Sequence, residues 1–363
     1  MTSIGEYYLS SGADLLVEVV NESECDLFYD TIVNIYSSRN DYSSHIVKDG
    51  IFTYVYSILT DKYYLYHIEN DNTYELHNLV VPATYNDKEV VVHNNAFGNR
   101  DWNSVTISEG VKGLSKYVTV HAIDFVKLPS TITSVDNLYI CASNVYFSNI
   151  PNVVHDSFHI SCNSKIQDLS VGVHFNGTLN EWLKLVEKNG DIFFHKATLF
   201  CLDENGEEYQ ITELDLTSTN WTTIDSELFK YYLVSSVKLP STLLSIGVNA
   251  FSNNPNLNSV EFNGKVGSIG SYAFANCGFT SIDLSIVGSI EEGAFFGNNK
   301  LTTVELSTDC KFIGFDAFNS TSDNVNITIN YSGTQEQFDA IEKALGWNNV
   351  YNSTCSITVV CKN

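Results

Sequence analysis

The sequence predicts an α/β repeat fold, mostly β: a solenoid of stacked parallel strands with two short helical caps and a small N-terminal β-rich module. Two observations carry this prediction. The phrase SIGVNAF (245–251) returns as SIGSYAF (268–274), SIEEGAF (289–295) and FIGFDAF (312–318), placing Phe251, Phe274, Phe295 and Phe318 at steps of 23, 21 and 23 residues. A fixed period in the low twenties is the mark of a chain wound from one short coil. A larger repeat lies over it: FNGTLNEWLKLVEKNG (175–190) returns as YSGTQEQFDAIEKALG (331–346), an offset of 156.

Residues 1–49 carry no repeat phrase. They hold two basic and nine acidic side chains, and LLVEVV and TIVNIY have strand composition, so they form a separate β-rich module or an attachment segment. A first block spans 50–205. It contains VVVHNNAF (90–97), the strand pattern WNSVTI (102–107) and AIDFVKLPSTITSVD (122–136), followed by a degenerate stretch in which NVVHDSF (152–158) is a worn copy. Its cap occupies 175–201. Thr178 with Glu181 makes a capping box, the apolar residues Leu179, Trp182 and Val186 follow at helical spacing, and ATLFC closes the segment as a strand.

The second block, 206–363, is more regular. ITELDL, VSSVKL, LNSVEF, FTSIDL and LTTVEL share alternating apolar and polar ends, the pattern of a strand with one face buried. Val260 and Phe262, Ile282 and Leu284, Val304 and Leu306 are expected inside, as are Ile246, Ile269, Ile290 and Ile313 of the phrase that turns the chain. Gly247, Gly270 and Gly314 suit a tight turn, since they lack a Cβ. The cap at 331–361 repeats the first: Thr334 with Gln337, a helix over 334–345 bearing Phe338, Ile341 and Leu345, then SITVVC. One coil cannot bury its own apolar edge, so stacking supplies the core and terminal coils need cover.

The phrase SIGxxAF, the strand LxxVxL and the KLPST turn resemble the BspA-like leucine-rich repeats of bacterial and protist surface proteins. The resemblance covers about residues 50–363 and is strongest from 210 onward. It implies a solenoid with a parallel sheet on one face, and a role in surface display and adhesion. A cell-surface or extracellular location follows from it. The N-terminal MTSIGEYYLSSGADLL has neither a basic n-region nor an apolar h-region. That leaves two expectations: a signal was removed upstream, or the chain is assembled in a cytoplasm as part of a larger particle, such as a virion or surface fibre, docked through 1–49.

A net charge of −24 argues against a nucleic-acid partner, because polyanions repel. No apolar run approaches membrane-spanning length, so no membrane insertion is expected. The expected ligand is protein or glycan, basic or neutral. No GxSxG, HExxH, phosphate loop or dinucleotide fingerprint occurs, so no catalytic residue, metal or cofactor is expected, and the chain reads as a non-enzyme. His155 and His159 fall four apart in VVHDSFHI, which has strand or turn character rather than the helix a metal pair needs. The eight cysteines form no CxxC pair. They are expected as small buried hydrophobes, with disulfides between Cys355 and Cys361 or between Cys162 and Cys201 open in an oxidising compartment.

Among the tryptophans, Trp182 and Trp102 sit at core positions, whereas Trp221 in TSTNWTTID is the exposed aromatic candidate for partner binding. The other candidates share one outward register: Asp215, Lys238, Glu261, Asp283 and Glu305. In a parallel sheet they would form a column at about 4.8 Å per step, with Lys238 relieving Asp215 and Glu261. The column is either a solvated acidic ladder or a site for a basic partner or divalent cation.

Overall fold

The structure is a computed structural model that describes residues 46–57, 60–69, 77–98, 100–148, 150, 152–153, 158–162, 170–190, 192–193, 196–352 and 354–362. The chain divides into two compact units, Met1–Val47 and Lys48–Asn363. The module expected over 1–49 therefore lies outside the described residues, apart from its last four, the strand Ile46–Asp49. Lys48–Asn363 is a mostly-β solenoid of parallel strands, and its two helices among the described residues are α1 (Leu179–Asn189) and α2 (Gln335–Asp339).

Each coil of the second block supplies two short strands, so the solenoid carries two ladders rather than one. The strands at LxxVxL form the first ladder: Glu213–Asp215, Ser236–Lys238 and Ser259–Glu261 in one sheet, then Ser281–Asp283, Thr303–Leu306, Asn326–Tyr331 and Ser356–Cys361 in another. The second ladder lies in the repeated phrase itself. Thr223–Ile224, Ser245–Ile246, Val266–Ile269, Val287–Ile290, Phe312–Ile313 and Glu342–Lys343 form a six-stranded parallel sheet. Ile246, Ile269, Ile290 and Ile313 are inward, as expected, at 2 % exposure or less. They are strand residues, however, and the chain turns only after them. Strands of two to four residues are too short to show alternation in a sequence.

Between the ladders runs a column of aromatic rings. Phe229, Phe251, Phe274, Phe295 and Phe318 stack in turn, with centroids 5.4, 5.2, 5.4 and 5.7 Å apart and ring planes within 18° of parallel. Asn254 and Asn298, three residues after their phenylalanines, each donate side-chain N–H bonds to the carbonyls of their own and the preceding Phe, and so satisfy buried backbone between coils.

One expectation is refined and two are corrected. Gly247 and Gly270 open a turn, as expected, each accepting from the alanine N–H three residues on, but neither they nor Gly314 take its left-handed conformation. That conformation falls two residues later, at Asn249, Tyr272 and Asp316, and at Gly293 in the third phrase. The glycines are needed for close approach: a Cβ on Gly270 would lie 2.8 Å from the Ile246 carbonyl oxygen of the preceding coil. Val260 and Phe262 are only half-buried, because the first ladder is interrupted between Ser259–Glu261 and Ser281–Asp283. The second cap helix ends at Asp339 rather than 345, and Leu345 is 98 % exposed. Glu342–Lys343 has instead joined the second ladder beside Phe312–Ile313.

In the first block the second ladder is reduced to the separate pair Ser134–Val135 and Asn152–Val153, and the first ladder is fused with a further one. The nine-residue strand Thr119–Lys127 pairs with Leu138–Cys141 through its first half and with Asn144–Ser148 through its second. The ladder continues through Ser170–Asn176 to Lys196–Leu202, the strand after α1. The helix forms as its capping box predicts, with Thr178 and Glu181 satisfying each other's backbone N–H groups. Its Trp182 is fully buried against Phe175 of the first block, Phe193, and Tyr232 of the second. The helix thus packs its buried face into the join between the blocks, while Asn180, Glu181, Lys184, Glu187 and Lys188 stay exposed on its other face. Cys141, Cys201, Cys277, Cys310, Cys355 and Cys361 are free thiols, so neither candidate disulfide forms.

Candidate functional site

The first ladder positions the five outward residues, because period-two strands put every second side chain on the outer face. Asp215, Lys238 and Glu261 stand side by side in one sheet, and Asp283 and Glu305 in the next. The interruption between Glu261 and Asp283 divides the expected column. The second half is extended by two residues that the column did not include, Asn330 and Val360.

Local partners differ from residue to residue. Lys238 donates to Glu213 at 2.7 Å, so its ion pair is with a carboxylate two residues before Asp215, rather than chiefly with Asp215 or Glu261. That pair, and the Asp215 and Glu261 charges, hold the Lys238 ammonium above the ordinary lysine range. The Asp215 carboxylate accepts from the Thr217 backbone N–H at 2.9 Å and the Thr217 hydroxyl at 2.6 Å. Partial burial pushes its pKa upward, but these bonds and the Lys238 charge outweigh it and leave the carboxyl below its usual value. Asp283 accepts from the Ser285 N–H at 2.9 Å, and Glu305 accepts from the Asn330 amide at 2.7 Å. Glu261, Asp283 and Glu305 are all exposed.

No group of three or more His, Cys, Asp or Glu side chains among the described residues is placed to hold a metal ion. Trp221 is half-buried: its ring stacks on Phe229 with centroids 6.0 Å apart, and its indole N–H donates to Glu187 of α1 at 2.9 Å. Together with the Ser218 hydroxyl, which donates to Asn180 at 2.9 Å, it fastens α1 to the first coil of the second block. Trp102 and Trp182 are buried, at 4 % and 0 % exposure. His155 lies outside the described residues, and His159 stacks on Tyr139.

Another outward row went unrecognised. In the first block Tyr146, His174 and Phe200 stand in register and stack at 4.2 and 4.5 Å. The His174 ring nitrogens meet Glu208 at 3.0 Å and Asn144 at 3.2 Å. Alternate positions of NVYFS, VGVHFN and TLFCL carry this signal, but their pairing crosses the irregular stretch that hid the repeat. The outer sheet face therefore changes along the solenoid, from aromatic in the first block to acidic in the second. The stacked rings cover one another's faces and present mainly edges to solvent. The acidic rows present carboxylate oxygens with further capacity to accept hydrogen bonds or pair with cations.

Residues 222–343 match a family model described as BspA type leucine rich repeat region, in six copies. Among solved structures, the chain is similar to a leucine rich cell surface protein from Faecalibacterium prausnitzii, with 17 % identity, a TM-score of 0.39, and 83 % of this chain and 98 % of that one covered. It is also similar to the pneumococcal vaccine antigen PcpA, with 13 % identity, a TM-score of 0.39, and coverage of 87 % and 98 %. A leucine-rich repeat protein from Eubacterium ventriosum gives 13 % identity, a TM-score of 0.37, and coverage of 84 % and 94 %. No curated protein matches the chain.

Proposed function

Residues 222–343 of this chain are BspA-type leucine-rich repeats, and from that premise we propose a non-enzymatic recognition protein that binds protein or glycan through the outer face of its first ladder. The observation that carries this reading is the exposed polar row itself. Asp283 and Glu305 project from short strands whose opposite faces are locked into the core, so that half of the row is preorganised, and Glu261 stands exposed on the neighbouring sheet. Its charge suits a basic or neutral partner, and complementarity of this kind raises association rate and selectivity more than raw affinity. Display outside the cell or at its surface accords with the repeat type. No helix among the described residues is long and apolar enough to cross a membrane.

The test is a triple variant, Glu261→Gln with Asp283→Asn and Glu305→Gln, compared with wild type on arrays of immobilised glycans and lysine-rich peptides at low and high salt. Wild-type binding that weakens with salt and is lost in the variant is expected, together with an unchanged or raised melting temperature. Binding that survives the triple change, or no binding to either array, contradicts the reading.

A further inference from the structure

Among the described residues of Lys48–Asn363, three strands of six or more residues end a run of parallel pairing, and at two of these places an antiparallel strand closes the edge. Lys62–Ile68 pairs in parallel with Lys88–Val92 and is covered on its other side by Phe52–Ser57, which runs antiparallel. Lys196–Leu202 pairs in parallel with Ser170–Asn176 and is covered antiparallel by Glu208–Gln210. At the third place, Ser356–Cys361 pairs in parallel with Asn326–Tyr331, and no described strand pairs with its other side. Its outer backbone N–H and C=O groups form a ready template for another strand.

Side chains mark the same difference. After α1, the inward residues Ala197, Leu199 and Cys201 are 0 % exposed. After α2, their counterparts Ile357, Val359 and Cys361 remain half-exposed, while Val360 is 50 % and Tyr351 57 % exposed. Charge is absent as well. No Asp, Glu, Lys or Arg occurs between Lys343 and Lys362, in a chain of net charge −24. Edge strands are ordinarily guarded by charge, proline or a bulge. Ser356–Cys361 has no charged residue or proline, and its pairing with Asn326–Tyr331 is regular throughout.

We propose that Ser356–Cys361 docks a second copy of this chain, whose own Ser356–Cys361 adds antiparallel across a two-fold axis at Thr358. Highly acidic chains repel one another, so self-association requires a neutral stretch, and the neutral stretch coincides with the open edge. Opposed residues of an antiparallel pair share a face. Centring on Thr358 sets Ile357 against Val359 on the inner face, and Ser356 against Val360 on the outer one. The contact is isologous, so both edges are closed at once and growth stops at the dimer.

Sedimentation velocity on the full chain over a concentration series tests this, with Thr358→Lys and Thr358→Glu as variants. Thr358 is exposed, so both variants should keep the wild-type melting temperature. Wild type should dimerise reversibly. Each variant should weaken dimerisation by at least about tenfold, because like charges meet at the axis. An equimolar mixture of the two should recover a dimer that weakens with salt. A wild-type chain monomeric at every concentration overturns the proposal, as do variants that associate like wild type, or a folded mixture that stays monomeric.

Discussion

At the scale of single residues, the repeat is held in place by backbone proximity as much as by apolar packing. A Cβ on Gly270 would meet the Ile246 carbonyl oxygen at 2.8 Å and the Gly247 carbonyl carbon at 2.9 Å, and neither backbone atom can swing aside as a side-chain tip would. Gly270→Ala should therefore cost on the order of 1–3 kcal/mol, seen as a lowered denaturant midpoint; a wild-type midpoint contradicts the close approach. Cys277 occupies the position that Asn254 and Asn298 hold in neighbouring coils, and its thiol reaches the Phe251 carbonyl at 3.3 Å. Burial pushes its pKa up to about 12, so it should resist thiol reagents in the folded chain. Cys277→Asn should restore the amide bonds and raise stability by about 1 kcal/mol; a destabilised variant means that the site has lost its asparagine geometry. The phenylalanine period was legible from sequence because five coils repeat it. The asparagine position was not, because Cys277, Tyr232 and Thr321 interrupt it.

At the scale of elements, the two helix caps show where local signals end. Both capping boxes form as their sequences specify, at Thr178 with Glu181 and at Thr334 with Gln337. One helix then continues for 11 residues and the other for 5. The difference comes from tertiary neighbours, which no local pattern records. After α2 the chain is drawn into the second ladder, where Lys343 takes the place that Ile313 holds in the coil before. Its ammonium donates to the carbonyls of Phe338 at 2.6 Å and Ile341 at 2.8 Å, ending the isoleucine column with a polar group.

The boxes also differ in charge. Thr178 backbone and hydroxyl bonds hold the Glu181 carboxyl below its ordinary pKa, whereas Gln337 does not ionise. A depressed folded pKa contributes stability that is present above the ordinary glutamate value and lost as pH falls through the folded one. The stability difference between wild type and Glu181→Gln should therefore be present at neutral pH and vanish in acid. A difference independent of pH would show that the Glu181 charge contributes nothing to the cap.

At the scale of the whole unit Lys48–Asn363, the sequence showed the period, the LxxVxL strands and the outward register, because each is a regular alternation within one coil. Properties that depend on how coils meet were hidden. These include the second ladder, the double pairing of Thr119–Lys127, the interruption beside Ser259–Glu261 and the Glu213 partner of Lys238. The candidate face was legible in position but not in continuity: Asp283 and Glu305 belong to a different sheet from Asp215, Lys238 and Glu261.

All of this rests on one claim, that each coil is held by its two neighbours through the phenylalanine column and the two ladders. Hydrogen exchange followed by mass spectrometry on the Phe274→Ala variant tests it most directly. Removing a ring that is 0 % exposed and stacked on both Phe251 and Phe295 should cost about 3–5 kcal/mol. In a stack coupled only between neighbours, faster exchange should spread from 268–274 into 245–261 and 287–306 and fade before the strands of 119–202. Loss of protection confined to 268–274, or spread evenly over 48–363, would contradict the account.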